Sequence, residues 1–239
     1  MSSYRWLLMD ADNTLFDFNA AEEYAITRTL VHYGLSPAAG VKACYKGANA
    51  AVWAAFEKGL ISQEALRVKR FELFLEAQKI EGDPKAWNNF YMDAMASCST
   101  LLPGAESLCR NLSRRYILCL TTNGSTLSQR RRLEASPLAR FFEDRVFISE
   151  EMGCHKPERA YFDKVLSALE VNPRQRTQAL VIGDSLSSDI LGAFNARLDS
   201  VWLRWPSSKP GPIKATYEVE NLAQLSQLLN ADRLVPIRP

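Results

Sequence analysis

Five short apolar runs decide what this chain can fold into: Arg5–Met9, Tyr116–Thr121, Val146–Ile148, Ala179–Ile182 and Ser200–Leu203. Their length and the turn residues around them favour buried strand over helix. Helical patterns separate most of them. This alternation predicts an α/β fold with a parallel sheet.

Residues 19–97 interrupt the alternation. Here the signals are helical and nothing reads well as a strand. Asp83-Pro84 has the form of an N-cap followed by proline at the first helical position. Beyond it, Trp87, Phe90, Tyr91 and Ala94 recur at helical spacing, as Phe71, Phe74 and Leu75 do one helix earlier. An inserted all-helical domain over 19–97 is therefore expected within a core built from 1–18 and 98–239. Leu102-Pro103-Gly104 marks the return to the core. The tail from Arg233 to Pro239 is expected to be loosely held.

With 239 residues the chain has ample length for a proper core. A net charge of +2 is too small to argue for a nucleic-acid polymer or an anionic membrane surface as partner. Arg130, Arg131 and Arg132 form the one notable basic run, and a solvated helix face is the expectation for it. The five cysteines (Cys44, Cys98, Cys109, Cys119, Cys154) form no CxxC pair, which speaks against a zinc site or a disulfide framework. Cys119 reads as a small buried hydrophobe. No signal peptide or membrane-length apolar stretch is legible, so a cytoplasmic location is the default expectation.

Polar residues stand just past several strand ends. Asp10, Asp12 and Thr14 end the first run, and Thr121, Thr122, Asn123 and Gly124 end the second. Gly183, Asp184 and Ser185 follow the fourth, with Asp189 one helical turn on. Lys156 lies in the loop after the third. Ligands of open parallel sheets bind at the carboxyl ends of the strands, so these groups should converge. Two carboxylates at one buried strand end repel each other and are costly to desolvate. A metal ion or a basic side chain must offset them, and an all-oxygen site suits Mg²⁺. Taken singly, each residue has a plainer reading. Ser185 can be a helix cap, Asp189 a surface acid, and Thr122 and Asn123 turn formers. His155 and His32 are given no chemical role.

Four segments together, Asp10-Ala-Asp-Asn-Thr14, Thr122-Asn123-Gly124, Lys156-Pro157 and Gly183-Asp-Ser-Leu-Ser-Ser-Asp189, resemble the motifs of the haloacid dehalogenase superfamily of phosphohydrolases. The resemblance spans the core and implies its Rossmann-like sheet, with the helical insert in the place of the family's cap. Residues 9–16 and Ile148-Ser-Glu-Glu-Met-Gly153 are most similar to the pyrimidine 5′-nucleotidase branch. By this resemblance Asp10 is the nucleophile that forms an aspartyl-phosphate. Asp12 is the acid that protonates the leaving oxygen and then the base that activates water. Mg²⁺ sits on Asp10 and Asp184, with Asp12 contributing its backbone carbonyl. Lys156, Thr122 and the Asn123 N–H hold the phosphoryl group, and Asp189 orients a metal-bound water or holds Lys156.

The activity implied is Mg²⁺-dependent hydrolysis of a small phosphomonoester, a pyrimidine nucleoside monophosphate first. A sugar-phosphate phosphatase or phosphomutase of the same fold is the alternative. A metal-free dehalogenase is disfavoured by Asp12. A phosphonatase would need a cap lysine, and nothing marks Lys42, Lys46 or Lys58 for that task. A non-catalytic binding protein ranks lowest, because Asp10, Asp12, Lys156 and Asp184 are all present. Trp53, Phe56, Trp87, Phe90 and Tyr91 are read for the most part as packing residues of the insert, with stacking of a nucleobase on one of them as the alternative. Oligomeric state is not legible.

Overall fold

A computed structural model describes residues 4–206 and 208–230; the tail from Arg233 lies outside the described residues. Six strands, β1 (Trp6–Asp10), β2 (Ile117–Thr122), β3 (Val146–Ile148), β4 (Ala179–Gly183), β5 (Asp199–Leu203) and β6 (Tyr217–Val219), form one sheet. Its order is β3-β2-β1-β4-β5-β6, and every pairing is parallel. The sheet is flanked by α5 (Ala105–Leu112), α6 (Thr126–Glu134), α7 (Ala139–Phe142), α8 (Ser149–Met152), α9 (Arg159–Ala168), α10 (Leu191–Ala196) and α11 (Leu222–Asn230).

The continuous apolar runs follow from burial on both faces. Along β1, Leu7 and Met9 enter one core and Trp6 and Leu8 the other. β4 divides the same way, Leu180 and Ile182 against Ala179 and Val181. Leu108, Leu112, Leu225 and Leu229 of α5 and α11 close the first core. Tyr161, Phe162, Val165 and Ala193 of α9 and α10 close the second. β1 pairs with β2 on one side and β4 on the other. The strand order therefore reverses at β1, which opens a crevice at its carboxyl end.

Between β1 and α5 run four helices: α1 (Phe18–His32), α2 (Ala39–Glu57), α3 (Gln63–Gln78) and α4 (Pro84–Ala96). α1 begins at Phe18, capped by Asp17, and α4 begins at Pro84, capped by Asp83. These helices bury a core of their own, with Ile26, Leu30, Tyr45, Phe71, Phe74, Trp87 and Tyr91 at its centre. Trp87 and Tyr91 are packing residues, whereas Trp53 is half-buried and lines a cleft. His32 stacks on Phe90, ring centroids 4.0 Å apart.

Two expectations need correction. β6 was not anticipated, and the basic run is not uniformly solvated. Arg130 and Arg131 are exposed, but Arg132 is fully buried. Among the described residues no helix is long and apolar enough to cross a membrane.

Candidate active site

Parallel register sets the ends of β1, β2 and β4 side by side. Asp10 pairs with Thr121, and Met9 with Ile182. Asp10, Thr122 and Asp184 consequently stand around one opening, although they lie far apart in sequence. Lys156 joins them from the loop after α8. Asn123 holds that loop, since its Oδ1 accepts from the Lys156 N–H at 2.9 Å and its Nδ2 donates to the Lys156 carbonyl at 2.7 Å.

The Lys156 ammonium is buried, and each of its three protons has an acceptor. Nζ donates to Asp10 Oδ1 at 2.6 Å, Asp189 Oδ1 at 2.7 Å and the Thr121 carbonyl at 3.0 Å. Burial alone would lower its pKa, but the Asp10 and Asp189 carboxylates outweigh that and hold it above the ordinary lysine value. Asp189 is committed on both oxygens, because Oδ2 accepts from the Ser185 N–H at 3.1 Å. Ser185 itself caps the turn that follows, its Oγ accepting from the Ser188 N–H at 3.1 Å.

Asp189 reaches back this far only because residue 183 is glycine. A Cβ there would lie 2.2 Å from Asp189 Cγ. Gly183→Ala should thus displace Asp189 and loosen Lys156. The expected result is a fall of about 10² in kcat/KM, consistent with the cost of a small misplacement in a positioned site. Steady-state kinetics on the folded variant checks it.

Oxygens of Asp10, Asp184 and Asp189 all lie within 4.8 Å of one another. Three acids crowd one lysine that pairs with only two of them, and the repulsion shows in the proton affinities of Asp10 and Asp184. Burial pushes Asp10 up to about 7 against the pull of Lys156, with the Asp189 and Asp12 charges adding to the rise. Burial, then the Asp10 and Asp189 charges, push Asp184 well above the usual carboxylate range. Among the described residues no protein donor reaches Asp10 Oδ2 or the Asp184 carboxylate. Those oxygens fit a hard divalent cation, which would supply the missing positive charge.

Asp12 points elsewhere. Its Oδ1 accepts from Arg132 Nη1 and its Oδ2 from Gln129 Nε2, each at 2.6 Å. Its carboxylate is thus not part of the acidic cluster, although it lines the same cleft. Thr122 Oγ1 accepts from the Gly124 N–H at 3.0 Å, tightening the turn after β2. His155 pairs with Glu158 at 2.8 Å and packs on Phe56.

The helical insert forms the opposite wall. Phe18, Trp53 and Glu57 line one cleft together with Asp10, Asp184 and Lys156. Glu57 Oε2 accepts from Ser187 Oγ at 2.7 Å, and Arg67 pairs with Glu150 at 2.6 Å. Beside the cleft lies a narrow recess lined by Leu66, Tyr91, Met92 and Met95, with Gln63, Arg67 and Arg70 among its polar groups. Gln129, Arg132 and Glu57 were not anticipated from sequence. A glutamine, one arginine of three and a helix-end glutamate give no signal until their distant partners are known.

Comparison with known proteins agrees with this geometry. The model of the haloacid dehalogenase-like hydrolases matches residues 4–197. The HAD-hydrolase YfnB of Bacillus subtilis is 35% identical over 98% of this chain and 99% of its own. The pyrimidine 5′-nucleotidase YjjG of Escherichia coli is 35% identical over 94% and 97% of the two chains. For the pyrimidine 5′-nucleotidase PynA of Streptococcus pneumoniae the figures are 34%, 98% and 98%. The crystal structure of YfnB bound to magnesium, which reveals interdomain movement, superposes with a TM-score of 0.89 over 95% of this chain and 99% of that one. A match that runs through both the sheet and the helical insert leaves one conclusion: this chain belongs to the haloacid dehalogenase-like hydrolase family.

Proposed function

We propose that this hydrolase is a Mg²⁺-dependent phosphatase that acts on pyrimidine nucleoside 5′-monophosphates, with the helices over 19–97 serving as a substrate-covering cap. The observation that carries the reading is near-full-length similarity, 34–35% identity, to two pyrimidine 5′-nucleotidases. The site supports it chemically. A carboxylate oxygen of Asp10 attacks phosphorus in line, and the P–O bond to the leaving alcohol breaks as the aspartyl-phosphate forms. Asp12 gives its proton to the leaving oxygen, then takes one from the water that hydrolyses the intermediate.

Lys156 shields the nucleophile from the incoming anion and neutralises charge on the phosphoryl oxygens. At an effective dielectric of ~20, two unit charges 4 Å apart interact by roughly 4 kcal/mol, so an unshielded carboxylate would repel a phosphate dianion strongly. Thr122 and the Asn123 N–H complete the phosphate cradle. Asp189 acts through Lys156, which it holds. Asp10 and Asp184 would hold Mg²⁺, with the Asp12 carbonyl as a further ligand; the ion supplies charge stabilisation at the phosphoryl oxygens.

The test is phosphate release across nucleoside monophosphates and sugar phosphates. Pyrimidine nucleotides should give the highest kcat/KM. EDTA should abolish turnover and added Mg²⁺ should restore it. A clear preference for sugar phosphates would reject the nucleotidase reading while leaving the phosphatase. Undiminished turnover in EDTA would reject the metal requirement.

A further inference from the structure

Arg132 is the one fully buried arginine of a run whose other two members are exposed. Burying a guanidinium strips it of its hydration at a large cost, so its placement needs a reason. Among the described residues its one ion-pair partner is Asp12. The rest of the side chain is locked in place. Nε donates to the Cys98 carbonyl at 3.0 Å, and the guanidinium lies 4.8 Å from the Phe16 ring centroid. Nη1 is then aimed at Asp12 Oδ1. Gln129, one helical turn earlier on α6 and almost fully buried, takes the other oxygen. Among the described residues Gln129 Oε1 and Arg132 Nη2 have no partner of their own, so neither side chain is placed to satisfy itself. Gly124 makes room for the arrangement, since a Cβ there would lie 2.7 Å from Gln129 Cγ.

From this geometry we infer that Arg132 and Gln129 are positioning residues that fix the carboxyl plane of Asp12 for proton transfer to and from the substrate oxygen. The inference rests on the assignment of Asp12 as acid and base. One donor on each oxygen removes rotation about the side chain. Each carboxyl oxygen has two lone pairs, so Oδ2 keeps one for the proton while Gln129 occupies the other. When the leaving P–O bond breaks, that proton moves to the leaving oxygen and the carboxylate left behind remains held by both donors. Proton transfer demands geometry before proton affinity, and a carboxyl free to rotate would seldom face the reacting oxygen.

Leaving-group dependence provides the test. p-Nitrophenolate departs readily without a proton, whereas the 5′-alkoxide of UMP does not. The quantity kcat/KM reports only steps up to aspartyl-phosphate formation, so it isolates the acid role. For Asp12→Asn, the ratio of kcat/KM for UMP to that for p-nitrophenyl phosphate should fall about 10²–10⁴-fold, the usual worth of a general acid. Arg132→Met should lower the same ratio at least tenfold. Arg132→Lys should recover part of it, because an ammonium can reach Oδ1. Gln129→Leu, which removes no charge, should lower it several-fold and decides the matter if Arg132→Met does not fold. An equal loss on both substrates in the Arg132 and Gln129 variants, with a selective loss in Asp12→Asn, would overturn the inference and leave the Asp12 assignment standing. No selective loss in Asp12→Asn would overturn that assignment and the inference with it.

Discussion

Asp10→Asn is expected to abolish turnover, lowering kcat by at least about 10⁴-fold, while leaving the fold in place. An amide oxygen is too weak a nucleophile for phosphorus, and the covalent route has no substitute once Asp10 is gone. The effect should appear with both UMP and p-nitrophenyl phosphate, because both substrates need the same nucleophile whichever alcohol leaves. Stability should change little. Asp10 is one of two acids that pair with a single lysine, and Lys156 keeps Asp189 and the Thr121 carbonyl as acceptors. Losing one negative charge also relieves the repulsion that pushes Asp184 upward. Thermal melting should therefore stay within a few degrees of the parent. Rapid quenching with ³²P-labelled substrate should trap label on the parent enzyme and none on the variant. Residual turnover within tenfold of the parent would remove Asp10 as the nucleophile.

Much of this site is legible in the sequence, for a definite reason. Asp10, Asp184 and Lys156 follow strand runs that are apolar on both faces, and such runs stand out against any background. Once the strands are known to be parallel, their carboxyl ends must meet. The first strand was read one residue early, as Arg5–Met9 instead of Trp6–Asp10, because Asp10 is a strand residue that an apolar pattern excludes. β6 escaped for a related reason. Tyr217–Val219 is a three-residue edge strand with an exposed glutamate at its centre, too short for a pattern to emerge. Asp83-Pro84 was readable because caps are local.

Arg132 was not readable because its reason for burial is 120 residues away. A run of three arginines looks solvated from every local viewpoint. On a helix, successive residues turn by about 100°, so one of three can face inward while its neighbours do not. Only the partner decides which, and Asp12 is brought there by the sheet. Glu57 is the same case on the insert side: nothing about a glutamate at a helix end announces that it lines one cleft with the acids. The fold was legible because burial writes a periodic signal. Arg132, Gln129 and Glu57 stay hidden because a pairwise contact writes none.

Lys156→Met carries the other large effect, and it should strike both activity and stability. The methionine fills similar space but leaves Asp10 and Asp189 buried beside Asp184 with no cation. Removing one partner of a buried pair typically costs about 3–5 kcal/mol, because the remaining charge is uncompensated. The loss should depend on pH with a definite sign. Asp10 already sits near 7 with Lys156 present, against an ordinary value of 3.8. Without the lysine its folded-state value rises further. A carboxyl whose folded value is raised favours the folded state fully at pH below its unfolded value and loses that advantage as pH rises through the folded one. In EDTA the variant should therefore melt close to the parent from pH 4 to about 6, where Asp10 is protonated in both, and fall progressively behind it as pH rises through 7 and beyond. Mg²⁺ should recover part of the deficit at neutral pH, since a divalent ion on Asp10 and Asp184 replaces some of the missing charge. Activity should stay at least about 10³-fold down even with Mg²⁺ saturating, because the ion cannot also take the lysine's place against the phosphoryl oxygens. A deficit that is the same at pH 4 and pH 8 would mean that Lys156 acts by packing and not by charge. Melting curves of parent and variant across that range, with and without Mg²⁺, distinguish the two.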